Sequence, residues 1–314
     1  MSHSFDRMLD KAFRDKPVQT LLGASPAALK GVSADDAQSL DSALGIRTVR
    51  DLAESPVFRQ AQAVLAAAGS PGFDPGPPPD WETFLRTAPL AHYATHPAGR
   101  FRLDFGPVYY RGRLDGTARV LLVGQDPATD ELLGHRILVG FSGQRVQGLL
   151  AKLGVTRSYI MINTFLFGAF GQFDTELRGI SLEPQILDFR NGFLDRLVAA
   201  NPVEAIIAAG NAAQHAVENW PGSQAVPVFE IMHPSAQNEA ALTASWNAAL
   251  AGLRSIVEPD EGAQADPAPY GAAFQPQDQV AIPRFDLPFG VPDWLGVGSH
   301  GDRDGDQKII WSAP

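Results

Sequence analysis

Four short apolar runs constrain this chain more than any other feature. Each ends near a small or polar residue, and helical spacing separates each from the next. They are Ala118-Arg-Val-Leu-Leu-Val-Gly, Tyr159-Ile-Met-Ile-Asn, Ala205-Ile-Ile-Ala-Ala-Gly and Val226-Pro-Val-Phe-Glu-Ile-Met. Runs this apolar fit strands buried on both faces, as in a parallel sheet. Helical spacing recurs at Gln144 to Leu153, Leu187 to Ala200, Asn211 to Trp220 and residues 239–254. Strands alternating with helices predict an α/β fold: a three-layer α/β/α sandwich around a mostly parallel sheet. In such sheets a ligand binds in the crevice outside the carboxyl ends of the strands. That rule singles out Gly124, Gln125, Asp126, Asn163, Gly210 and His233, all at or just past a predicted strand end.

This pattern occupies residues 95–255, and the flanks differ from it. Residues 1–70 read as a helical N-terminal region. Ser33 is a predicted N-cap with Asp35 and Asp36 in the first turn, and Thr48 caps a further helix. The glycine turn at Gly31 resembles a helix-hairpin-helix unit, whose backbone N–H groups can meet a phosphate; a purely structural helix pair fits the same residues. Residues 71–94, opening with Pro71-Gly-Phe-Asp-Pro-Gly-Pro-Pro-Pro-Asp, read as a Pro/Gly-rich linker. Residues 256–314 read as an acidic, Pro/Gly-rich C-terminal arm. Its aromatics Phe274, Phe285, Phe289, Trp294 and Trp311 predict that parts of it dock on the core. Asp302-Arg-Asp-Gly-Asp opens like a calcium loop but lacks the acidic residue expected at its twelfth position, so it reads as a solvated turn.

Composition excludes some chemistries. The chain has no cysteine, which rules out disulfides, cysteine-ligated zinc and cysteine-held iron–sulfur clusters. No run approaches the roughly 18 apolar residues of a membrane span. The N-terminal Met1-Ser-His-Ser-Phe-Asp has no basic stretch followed by an apolar one, so a cytoplasmic location is expected. The net charge of −10 is, taken alone, unsuited to a phosphate-rich partner. Its distribution matters more: about −2 over residues 1–99, about −1 over 100–255 and about −7 over 256–314. The central region is near neutral, which is compatible with gripping one nucleotide and a few phosphates.

Three motifs follow strands in order: Gly124-Gln125-Asp126-Pro127, Ile160-Met-Ile-Asn163-Thr and His233-Pro234-Ser235. Together they resemble the uracil-DNA glycosylase superfamily over about residues 118–237. The first resembles the Gly-Gln-Asp-Pro of the classical branch. Gly134 to Leu150, with Leu138-Val-Gly-Phe-Ser-Gly, and Ala205 to Ala216 are more similar to the iron–sulfur branch, although the chain has no cysteine to hold such a cluster. The resemblance implies an enzyme of base excision repair that flips uracil from single- or double-stranded DNA. It would hydrolyse the N-glycosidic bond, leave an abasic site without cutting the strand, and need no metal or cofactor.

The residue types suit that chemistry. Breaking the bond builds positive charge on the sugar and negative charge on the base. Asp126 can stabilise the cation and orient water. His233 can donate to uracil O2 as the base leaves. Asn163 can complement uracil O4 and N3–H, provided that its amide is held in one orientation. Gly124 and Gln125 would line the base. Leu138 holds the stacking position by alignment, with the aromatic Phe141 as its rival. Pro127, Ala128, Ser235 and Gln237 are the expected DNA contacts.

Several positions depart from the family pattern. Ala128 stands where the classical branch has a tyrosine that blocks the thymine methyl, and Ala236-Gln237 stand where it has a leucine wedge. These changes predict looser exclusion of thymine and relatively better action on single strands. The alternatives are a glycosylase for another deaminated or mismatched base, and a non-catalytic DNA-binding relative. His3, His92, His96, His135, His215 and His300 belong to no motif and read as structural or exposed. Arg145 and Arg157 could touch DNA phosphate but read first as solvated surface charge.

Overall fold

A computed structural model describes residues 8–14, 16–58, 60–61, 72–97, 99–291 and 295–296. The chain divides into two compact units, one of Met1–Pro75 with Pro288–Leu295 and Gly301–Pro314, the other of Gly76–Leu287 with Gly296–His300.

In the first unit, helices α1 (Val18–Leu22), α2 (Ala34–Leu44) and α3 (Val49–Glu54) are short. Ser33 and Thr48 cap α2 and α3 through reciprocal bonds with Asp36 and Asp51. These caps satisfy N–H groups that a helix start otherwise leaves open. Ahead of the Gly31 turn the chain forms a 3-10 turn, Pro26–Ala28, in place of the longer apolar helix that the spacing suggests. Phe73 meets Phe289 edge-on at 5.4 Å.

The second unit opens with a correction. Within the expected linker, Pro79–Leu85 forms α4 and Leu90–Tyr93 forms α5. Pro79 occupies the first turn of α4, where its missing N–H costs nothing. Trp81, Leu85 and Tyr93 are buried. The proline run thus masks a helix start whose apolar face packs.

A five-stranded sheet follows, in the order β1 (Arg111–Gly112), β3 (Tyr159–Asn163), β2 (Val120–Gly124), β4 (Ala205–Ala209), β5 (Val228–Ile231). β2, β3, β4 and β5 run parallel; β1 is an added antiparallel edge strand. Helices α6 (Thr129–Gly134) and α7 (Phe141–Lys152) connect β2 to β3. Helices α8 (Thr175–Ile180) and α9 (Pro184–Ala200) lead to β4, α10 (Asn211–Glu218) to β5, and α11 (Glu239–Leu253) closes the series.

Alternate strand residues feed two cores, because successive side chains point to opposite faces. Leu122, Met161 and Ile207 pack with Val146 and Leu150 of α7 and Trp246 of α11. Leu121, Ile160 and Ile206 pack with Trp81 of α4, Leu194 of α9 and Ala213 of α10. The result is the expected three-layer α/β/α arrangement with a mostly parallel sheet. Helices α7 and α9 start about a turn earlier than their apolar spacing indicates, so Phe141 is the first residue of α7.

Past α11, part of the tail runs along this unit. Tyr270 and Phe274 meet Trp246 edge-on at 5.9 and 5.1 Å. Asp286 is fully buried, accepts a 2.6 Å bond from the Tyr159 hydroxyl and ion-pairs with Arg113. Phe285 lies against Arg113 and Arg157. Trp294, Trp311 and Asp302–Asp306 lie outside the described residues. Among the described residues, no helix is long and apolar enough to cross a membrane.

Candidate active site

β2 and β3 are in register, so Gly124 sits opposite Asn163 at their carboxyl ends. The pairing extends past the strands. Thr164 donates to the Gly124 carbonyl through both N–H and Oγ1, each at 2.9 Å, and Phe165 N–H donates to the Gln125 carbonyl at 3.0 Å. Residue 124 must be glycine here, because a Cβ would overlap Asn163 Oδ1. Asn163 is buried, and its Nδ2 has no hydrogen-bond partner among the described residues. A buried amide N–H without an acceptor is costly unless a ligand supplies one.

Asp126 lies just beyond β2, and both its oxygens are held. Ala169 N–H donates to Oδ2 at 2.8 Å and Gln125 Nε2 to Oδ1 at 2.7 Å. Burial pushes the carboxyl pKa up, while the Ala169 and Gln125 bonds and the positive charge of Arg102 oppose the shift. The shelf carrying Ala169 is fixed in turn: Ala169 bridges Phe101, and Arg102 N–H donates to the Gly168 carbonyl at 2.8 Å.

His233 follows β5 and rests on Gly210, at the end of β4. Gly210 has φ +87°, and a Cβ there would lie 2.9 Å from the His233 Cβ. The Ser235 N–H donates to His233 Nδ1 at 3.2 Å, and Ser235 Oγ lies 2.8 Å from the same nitrogen. Nδ1 is therefore an acceptor, and a neutral ring carries its proton on Nε2. Burial lowers the imidazole pKa, which favours that neutral form.

Two charged residues hold these loops. Buried Glu131 accepts from the Ala128 N–H with one oxygen and from the Leu138 N–H, at 2.7 Å, with the other. Burial raises its pKa to about 7 against those two bonds. Arg145, expected on the surface, is instead buried. Its guanidinium donates to the Pro234 carbonyl at 2.8 Å and to Glu239 Oε1 at 2.7 Å. It lies between the rings of Phe141 and Phe274, 4.6 and 4.5 Å from their centroids. Glu131 stands three residues after the N-cap Ala128, the spacing of the acidic half of a capping box, but alanine has no side-chain acceptor to complete that signature. Arg145 leaves no such local signal, because Pro234 is 89 residues away.

The remaining candidates separate by exposure. Leu138 is buried and has φ +54°, unusual for a residue with a γ-branched side chain. Phe141 is 44% exposed and supports Arg145. Ala128, Ser235 and Gln237 are exposed, whereas Pro127 is buried and offers no surface to a duplex.

The strand-end set thus unites Gly124, Gln125, Asp126, Asn163 and His233 along one sheet edge. It combines a half-buried carboxylate, a neutral imidazole donor and an amide with an unused N–H. The model of the uracil DNA glycosylase superfamily matches residues 112–253, a span that holds all of them. A comparison with curated proteins finds no match. Residues 112–253 therefore form a domain of the uracil DNA glycosylase superfamily.

Proposed function

We propose that this chain is a monofunctional uracil-DNA glycosylase. It flips uracil out of DNA, hydrolyses the bond between deoxyribose and N1, and leaves an abasic site for base excision repair. The superfamily domain supports DNA glycosylase chemistry. The observation that carries the uracil reading is the buried Asn163 Nδ2–H with no acceptor among the described residues. Uracil O4 supplies that acceptor, and its N3–H can donate to Oδ1; cytosine presents the reverse pattern. The target base leaves the stack to reach this edge.

In the reaction the C1′–N1 bond breaks first and charge separates. Asp126 as carboxylate stabilises the sugar cation, orients a water for attack at C1′ and accepts its proton. The bonding electrons leave with uracil as an anion, and His233 Nε2–H donates to its O2. Because the base departs as an anion, His233 need only share its proton. Losing such a donor costs about 3–4 kcal/mol of barrier. Ala128 and Gln237 are both exposed, and neither is large and apolar, so single strands are the better substrate.

Exposed Ala128 favours one second reading, removal of mismatched thymine, since its methyl side chain leaves room beside the base. Labelled oligonucleotides carrying uracil, deaminated purines or a mismatched thymine separate the readings. Uracil release with strand breakage only after alkali is the expected result. Faster release of another base would replace the substrate, and tight binding with no release would indicate a non-catalytic DNA-binding protein.

A further inference from the structure

Outside the strand-end set, three side chains with metal-binding atoms converge. His92 of α5, His96 just beyond it and Glu183 at the start of α9 place their ligand atoms within 4.8 Å of one another. Glu183 Oε2 lies 2.5 Å from His92 Nε2 and 3.3 Å from His96 Nε2. The rings of His92 and His96 stand edge to face at 5.4 Å. A histidine–carboxylate staple would explain the first contact but not the second. His96 Nε2 is buried and, despite its proximity to the carboxylate, has no hydrogen-bond partner among the described residues. Both Nε2 atoms thus lie beside one carboxylate oxygen, and that of His96 makes no hydrogen bond to it.

We propose that His92, His96 and Glu183 bind a divalent transition ion of the zinc class. Two imidazoles and one carboxylate suit zinc, which accepts nitrogen and oxygen ligands in tetrahedral geometry; magnesium prefers oxygen alone. Metal–ligand bonds of roughly 2.0–2.1 Å put tetrahedral ligand atoms about 3.3 Å apart. The His96–Glu183 spacing already meets that value, while the His92–Glu183 contact must open. The Glu183 side chain is 34% exposed, so an ion can reach the site from solvent. The ion fastens the α5 segment to the start of α9. That segment supports the Asp126 shelf: the Tyr93 hydroxyl accepts from Leu166 N–H at 3.2 Å, and His96 packs on Phe101, which bridges Ala169. The ion is a clamp, since none of its ligands belongs to the strand-end set.

The test uses the full chain, stripped with chelator and titrated with zinc and, separately, cobalt. The expected result is one equivalent of zinc, a rise in Tm that magnesium does not reproduce, and visible absorption bands of tetrahedral cobalt. His96→Ala and Glu183→Gln should abolish all three signals, while His135→Ala and His215→Ala should leave them intact. Stoichiometric binding that survives in His96→Ala and Glu183→Gln overturns the assignment. If either variant fails to fold, the wild-type chain decides: absence of a bound equivalent, or of the cobalt bands, also overturns it.

Discussion

The loop bearing Asp126 and the loop bearing His233 are both held by a buried charge reaching backbone groups, but with opposite signs. Glu131 anchors the first by accepting two N–H groups, and burial lifts its pKa to about 7. Arg145 anchors the second by donating to the Pro234 carbonyl, with Glu239 as counter-ion. A guanidinium stays charged throughout the working pH range, whereas a carboxyl raised this far does not. The two anchors thus differ in sign, and the one on the Asp126 loop titrates near neutrality.

The largest effect among the anchors is expected from Arg145→Met, which keeps an apolar stem between Phe141 and Phe274 but leaves the Pro234 carbonyl unpaired. Stability should fall by about 1–3 kcal/mol in chemical denaturation. Single-turnover excision should fall by up to about 100-fold through misplacement of His233. Unchanged excision in a folded variant would mean that the His233 loop needs no such brace.

Glu131→Gln should cost about 1–3 kcal/mol, because an amide cannot accept from both the Ala128 and Leu138 N–H groups. It should also separate the two loops by pH. The folded pKa of Glu131 lies above its ordinary 4.5, so its contribution to stability is greatest below that value and is lost as pH rises through about 7. Wild type and Arg145→Met should both lose stability across that window, and Glu131→Gln should lose less. Equal slopes in denaturation series for all three proteins would remove Glu131 as the source.

The smallest effect is expected from Asn163→Asp, a gain of weak release from cytosine-containing oligonucleotides with reduced release from uracil. An unchanged preference would show that residue 163 does not read the base.

Much of the fold is legible in the sequence because β2, β3 and β4 are buried on both faces and read as unbroken apolar runs, ended by Gly124, Asn163 and Gly210; β5, at the sheet edge, is only partly buried. The motif residues follow from those strand ends. What stays hidden depends on distance. Arg145 looks like surface charge until the chain brings Pro234 and Phe274 to it, and the α4 helix lies behind a proline run that also fits a linker. The residues proposed to perform the chemistry lie at strand ends, whereas Arg145, which braces the His233 loop, is 89 residues from its partner Pro234.

The central claim is that Asp126 and His233 carry base release. It is tested most directly by single-turnover release of uracil from a labelled single-stranded oligonucleotide, with DNA binding measured in parallel. The account predicts that Asp126→Asn and His233→Ala each retain binding while excision falls, for His233→Ala by about 100- to 1,000-fold. Wild-type rates in both variants would contradict it.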